Sequence, residues 1–250
     1  MHKGAVYIAF GADYYRQCVV SVKYLKHNCP DLPVTVVTDQ TEVQGPADAF
    51  HIVIPNDVTT NNRMYRTMAN RFAFDKEGPY DEWILLDTDV VVGSPRFIDG
   101  FDRIGDGDAA SLVQAEWNPA NGETAASMGA TWESFNNYHS LDNDGVGRVY
   151  TPGTCFFRSG PKADEFFTRW WWLWDGWAYD RDLPPFTGAV QDVGLQISLL
   201  NPLQEHRKHQ SYHWVDCNEK KGSAMAGICI HEAAGGGKLL PKIENWRPHD

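Results

Sequence analysis

The sequence predicts an α/β fold, a mostly parallel central sheet flanked by helices, and three observations carry that prediction. Apolar, β-branched runs at residues 5–10, 34–38 and 83–92 suit strands covered on both faces. A stretch with Val19, Val22 and Leu25 at helical spacing separates the first two. Strand, helix, strand, strand, helix, strand, in that order and at those lengths, describes a parallel sheet with crossover helices. A chain of 250 residues is long enough for one sizeable domain of this kind, or two small ones.

Residues 5–10 read as a first strand, broken by Gly11. Asp13 is a candidate cap for a helix over residues 14–27. Pro30 and Pro33 punctuate, residues 34–38 form a second strand ending at Asp39, and residues 50–54 a third. Residues 63–74 read as helical, with Met64, Met68 and Phe72 on one side and Arg63, Arg66 and Arg71 elsewhere. The acidic strand 83–93 follows, then a short connection from Ser94-Pro95 and a strand over 109–114. Residues 115–150 are polar, rich in Asn, Gly and Ser, and long for a plain connection. Thr151-Pro-Gly-Thr-Cys-Phe-Phe-Arg turns into a strand, and residues 161–177 form a helix whose Phe166, Phe167, Trp170, Trp171 and Trp174 cover the sheet, with one Trp left exposed. Gln191-Asp192 opens a helical stretch through Leu200, and residues 227–230 are a last strand leading to His231.

Composition narrows the partners. A formal net charge of -11 argues against nucleic acid or an anionic membrane as the main ligand. The apolar run near the N-terminus is too short for a signal peptide or a membrane anchor. Five cysteines, odd in number and never spaced Cys-x-x-Cys, point to reduced thiols and a cytoplasmic setting. Ten Trp, ten Tyr and twelve Phe suit a well-packed core, and equally the aromatic faces of a carbohydrate surface.

The chemistry gathers in residues 83–93, Trp-Ile-Leu-Leu-Asp-Thr-Asp-Val-Val-Val-Gly. In an extended chain Asp87 and Asp89 project to the same side. Two like charges brought together repel unless something positive lies between them. A divalent cation answers that need, and carboxylate oxygens favour Mg²⁺, Mn²⁺ or Ca²⁺. The run Gly235-Gly-Gly-Lys238 is not a P-loop, because Glu232 and Leu239 stand where a glycine and a hydroxyl are required.

Leu85-Leu-Asp-Thr-Asp-Val-Val-Val resembles the Asp-x-Asp strand of GT-A glycosyltransferases, especially the retaining glycogenin/galactinol-synthase-like (family 8-like) group. Further matches keep that group's order. Arg71, sixteen residues before Asp87, resembles its donor-diphosphate cation. Ala9-Phe10-Gly-Ala-Asp-Tyr14 resembles the nucleoside-holding first strand and loop, with Tyr14 set to stack on the base. Thr151 to Phe157 resembles its Asn-Ser-Gly strand, Gln191-Asp192 its Asp-Gln pair, and His231 with Lys238 its C-terminal His-x-x-Gly-x-x-Lys. Departures are Pro152 in place of Ser or Asn, the reversed order of Gln191-Asp192, and one extra residue before Lys238.

The resemblance implies one GT-A catalytic domain over 1–250, with a nucleotide-binding half (1–114) and an acceptor and catalytic half (115–250). It implies a metal-dependent transfer of sugar from a nucleotide-diphosphate sugar, UDP-linked, with retention, to a glycan, protein or small-molecule acceptor. Asp87, Asp89 and His231 would hold Mn²⁺ or Mg²⁺. Ala9, Phe10, Tyr14, Asp39, Arg71, Asp87, Thr88 and Lys238 would contact the donor, and Asp192 with Gln191 would be catalytic. Trp117 and Trp132 are acceptor-side candidates, and Glu116, Glu123, Glu133 and Asp144 are candidate general bases should the enzyme invert. A nucleotidyltransferase, a sugar-nucleotide hydrolase and an inactive nucleotide- or glycan-binding protein are the alternative readings.

Overall fold

The computed structural model describes residues 1–53, 62–124, 145–177, 183–200 and 229–231, with backbone alone at 114–117, 177 and 229–231. The chain opens with β1 (Lys3–Ala9), α1 (Ala12–Asn28), β2 (Val34–Thr38) and β3 (Ala49–Ile52). The short helix α2 (Asn62–Arg66) and a 3-10 turn at Ala69–Phe72 lead to a hairpin, β4 (Phe74–Asp75) and β5 (Gly78–Pro79). Next come β6 (Glu82–Leu86), β7 (Val90–Val92), a 3-10 turn at Pro95–Ile98 and α3 (Asp99–Ile104). The second half adds β8 (Ala109–Trp117), β9 (Gly147–Arg158), α4 (Pro161–Trp177), α5 (Leu183–Val193), β10 (Ile197–Leu199) and β11 (Cys229–His231).

Among the described residues a seven-stranded sheet has the order β10-β8-β9-β6-β1-β2-β3. Strands β6, β1, β2 and β3 run parallel, β10 is parallel to β8, and β9 alone runs antiparallel to both its neighbours. Helices cover both faces, which is why the strands read as continuous apolar runs. Alternation along β9 shows the two layers. Phe156 packs beneath α1 and α3 with Phe97 and Phe101, while Phe157 joins Trp83, Phe166, Phe167, Trp170 and Phe186 beneath α4 and α5. Trp170 meets Phe186 edge-on at 4.9 Å between centroids, so the tryptophan run serves the core first.

Several expectations need correction. Asp13 does not cap α1; Gly11, at φ 86°, holds the N-cap position and Asp13 pairs with Arg16 at the surface. The helix expected over 63–74 is broken after Arg66, because Thr67 turns its hydroxyl back onto the Met64 carbonyl at 2.6 Å. The connection after Ser94 holds α3, and β8 runs on to Trp117. Gln191-Asp192 ends a helix instead of opening one, and Gly194, at φ 64°, turns the chain toward β10. Among the described side chains of α4 two tryptophans are exposed, Trp171 and Trp172. No described helix is long and apolar enough to cross a membrane.

Gly4 on β1 lies directly under the ring of Tyr80, whose hydroxyl meets Thr35 Oγ1 at 2.9 Å. A Cβ at Gly4 would stand 2.3 Å from that rigid, buried ring. Gly4→Ala is therefore expected to cost about 1–3 kcal/mol, read as a lower urea midpoint at unchanged m. An unchanged midpoint would show that the ring can give way.

Candidate functional site

Parallel strands β1, β2 and β6 end at one edge of the sheet, Ala9 beside Thr38 and Tyr7 beside Leu86. The chain leaves β1 through Gly11, whose positive φ allows the sharp entry into α1. The Gly11 N–H donates to Asp39 Oδ1 at 2.9 Å, so the loop after β2 is tied to the loop after β1. Gln40 Nε2 donates to the same oxygen at 2.7 Å. Tyr15 closes the same corner, donating to the Gln44 carbonyl at 2.8 Å and accepting from its N–H at 2.6 Å.

Residues 83–93 are not one strand. Strand β6 stops at Leu86 and β7 starts at Val90, with Asp87, Thr88 and Asp89 forming a turn closed by Val90 N–H on the Asp87 carbonyl at 3.2 Å. The shared side of an extended strand is thus not what joins the two carboxylates; a turn at the strand end does. The Asp87 N–H donates to the Gly153 carbonyl of β9 at 2.9 Å. That neighbour explains Pro152. The β8–β9 pairing slips between Ser111/Cys155 and Val113/Tyr150, and this irregular stretch of β9 carries the residue that has no N–H to give.

Thr88 is buried and its hydroxyl donates to Gln17 Oε1 of α1 at 3.2 Å, fixing the turn from below. Asp87 and Asp89 on either side are half-buried. Helix α1 also binds β7 directly, through Ser21 Oγ on the Val90 carbonyl and Asn28 Nδ2 on the Val92 carbonyl at 2.9 Å. On its other side β7 pairs with β11, and the register sets His231 opposite Val90, next to Asp89 in the chain.

Positive charge at this turn comes from α2. Arg66 Nη2 approaches Asp87 Oδ1 at 2.9 Å, an ion pair by distance without the alignment of a hydrogen bond. Both side chains are largely shielded, at 13% and 23% exposure. The same helix reaches the loop after β1. Asn62 Oδ1 accepts from the Phe10 N–H at 2.6 Å, its Nδ2 donates to the Phe10 carbonyl at 3.1 Å, and the Tyr65 ring lies 4.4 Å from that of Phe10.

No protein-family model matches the chain, and comparison with curated proteins found no similar sequence. Solved structures do resemble it. An active-site glutamine-to-glutamate mutant of LgtC superposes with a TM-score of 0.57 at 10% identity, covering 96% of this chain and 95% of that one. The galactosyltransferase LgtC in complex with donor and acceptor sugar analogues gives 0.55 at 10% identity, covering 92% and 87%. The apo form of mouse xyloside xylosyltransferase 1 gives 0.50 at 12%, covering 80% and 85%. The fold is GT-A. Identity this low speaks for the fold and not for the site.

Within this GT-A fold, the sheet's carboxyl edge gathers Phe10, Gly11, Asp39, Asp87, Thr88 and Asp89. Tyr14 stands on the first turn of α1 with 43% of its surface exposed. Ala9 and Phe10 are buried, and the Ala9 carbonyl accepts from Thr38 Oγ1 at 2.7 Å. Arg71 lies exposed on the 3-10 turn, while Arg66 is the residue on Asp87. Asp192 sits on the outer side of α5, held by Arg169 at 2.6 and 2.7 Å, and Gln191 beside it is half-buried. Glu123 Oε2 accepts from the Asn118 N–H at 2.8 Å, closing a local turn. Lys238, Trp132, Glu133, Asp144 and the side chains of His231, Glu116 and Trp117 lie outside the described residues. Among the described residues no group of three His, Cys, Asp or Glu is set to hold a metal.

The sequence alone does not single out Gln17, Asn62 or Arg66. Arg66 had a signal, since it is basic and stands near the acidic pair in the chain; Gln17 and Asn62 had none.

Asn62 saturates both backbone groups of a buried residue, so removing it leaves two polar groups to fend for themselves. In Asn62→Ala the Phe10 amide is expected to lose about 10-fold or more of its hydrogen-exchange protection, the equivalent of about 1.4 kcal/mol of local opening. Unchanged protection would mean that the clamp does not hold the loop.

Proposed function

We propose that this protein is a glycosyltransferase that moves a sugar from a nucleotide-diphosphate sugar, UDP-linked in the first instance, to a glycan, protein or small-molecule acceptor. Retention at the anomeric carbon and assistance by Mn²⁺ or Mg²⁺ belong to the same reading. The observation that carries it is the Asp87-Thr88-Asp89 turn at the carboxyl edge of β6, with cationic Arg66 against Asp87. Open α/β sheets bind ligands at this edge.

The donor set fits a hard or borderline divalent cation: two carboxylates on one turn, and an imidazole residue whose strand pairs beside them. Asp87, Asp89 and His231 would hold the ion. When bound, it would neutralise charge on the diphosphate as that group leaves. The rest falls to the chain. Arg66 adds fixed positive charge where the leaving oxygens gather negative charge, in a half-buried site where such charge counts for more than in water. The nucleoside meets Asp39, whose carboxylate accepts from the base, and Tyr14, whose exposed ring stacks on it. Lys238 and Arg71 remain proposed as further cations toward the diphosphate.

As the glycosidic C1–O bond breaks, its electron pair leaves on the diphosphate and the sugar becomes oxocarbenium-like. The acceptor oxygen then bonds to C1 and passes its proton to the diphosphate oxygen that has left. A polar group near C1 steadies the sugar. Gln191 takes that role in this reading, because the Asp192 carboxylate is engaged by Arg169 on the outer side of α5.

Melting temperature measured with UDP, GDP or ADP, each with and without Mn²⁺, tests this reading. A ligand that binds only the native state stabilises by mass action. UDP with Mn²⁺ at a hundredfold excess over Kd is expected to raise Tm by about 5–10 °C, and Asp89→Asn to abolish the shift. Absence of a shift with any nucleotide plus metal would remove the reading. A shift with UDP-sugar followed by its breakdown without an acceptor would turn it toward hydrolysis.

A further inference from the structure

We propose that Arg66 makes the binding of a divalent cation at Asp87 conditional on a diphosphate ligand, so that the site fills as a unit. The inference rests on the donor-site reading above and gives it an order of events. Arg66 Nη2 lies 2.9 Å from Asp87 Oδ1, and solvent reaches only 13% of the one side chain and 23% of the other. A cation on that carboxylate would share it with a guanidinium a few ångströms away. Exposed charges at such a distance are screened, but shielded ones repel. Arg66 is therefore the resident competitor of the ion. A diphosphate changes the balance, because its oxygens accept the guanidinium's N–H groups and ligate the ion at the same time.

The position of Arg66 is itself tied to the nucleoside end. In the described part of helix α2, Asn62 grips the backbone of Phe10 through both an N–H and a carbonyl. Tyr65 rests its ring on Phe10. One element thus touches both the loop after β1 and the Asp87 turn. A nucleotide that settles against that loop acts on the helix that carries Arg66. Linkage makes the effect reciprocal: UDP raises the affinity for the ion by the factor by which the ion raises the affinity for UDP.

The test is Mn²⁺ binding to the whole chain, followed by the electron paramagnetic resonance of the free ion, alone and with saturating UDP. Wild-type protein is expected to bind Mn²⁺ at least about tenfold more tightly with UDP than without it. Arg66→Met, of similar length but uncharged, is expected to bind Mn²⁺ alone about tenfold more tightly than wild type, and to lose most of the gain from UDP. Arg66→Lys, which keeps the charge, should stay near wild type when Mn²⁺ is added alone. Unchanged or weaker Mn²⁺ binding by a folded Arg66→Met would overturn the inference and leave the donor-site reading standing. Wild-type protein that binds both Mn²⁺ and UDP without coupling would overturn it even if the variant fails to fold. Wild-type protein that binds neither would sink both.

Discussion

Two carboxylates at the end of a strand buried on both faces form the constraint around which the rest of this molecule is arranged. At an effective dielectric near 20, two unit charges 4 Å apart interact by about 4 kcal/mol, a large fraction of a typical folding free energy. Carboxylates so close to a core must be held apart, hydrated or countered. The chain does this with neighbours from four elements. Gln17 of α1 holds Thr88 down from one side, and the Gly153 carbonyl of β9 fixes the Asp87 backbone from another. Strand β7 carries the chain away under α1 and receives β11 on its free side. Arg66 of α2 supplies countercharge.

The edge after β1 and β2 is built differently. There the loops are held by hydrogen bonds to the backbone: Gly11 to Asp39, Phe10 to Asn62, Gln44 to Tyr15. Such bonds fix a loop's shape without filling the space above it, and they leave Tyr14 exposed on the first turn of α1. Behind the edge, the aromatic layer of Trp83, Phe157, Phe166, Phe167 and Trp170 makes the sheet a stiff platform. A site supported by strand ends keeps its geometry better than one hung on free loops.

How much of this was legible in the sequence depends on how local each feature is. The sheet was legible because strands buried on both faces leave unbroken apolar runs, and helix α4 because its stripe of aromatics repeats at helical spacing. The acidic pair was legible for the same reason, as two charges inside such a run. Its turn was not, because Asp87 and Asp89 two apart fit an extended strand as well as a strand end; the difference is made by Gly153 and Gln17, far away in the chain. Arg71, to which the resemblance points by its place sixteen residues before Asp87, falls with Arg66 in a stretch that reads as one continuous helix. Thr67 interrupts that helix, so Arg66 falls on the acidic turn and Arg71 faces solvent. Gln191-Asp192 lies near the end of α5, and the chain before it carries Pro184 and Pro185 within the helix, residues that by themselves do not announce one.

The place of α2 bears on how such a site can work. Its described part, Asn62–Arg66, makes three contacts with the acidic edge and the loop beside it: Asn62 and Tyr65 on Phe10, Arg66 on Asp87. Helices in proteins draw most of their stability from tertiary contacts of this kind. A change at Phe10 therefore alters the support of the arginine at Asp87, and a change at Asp87 alters the support of the loop after β1.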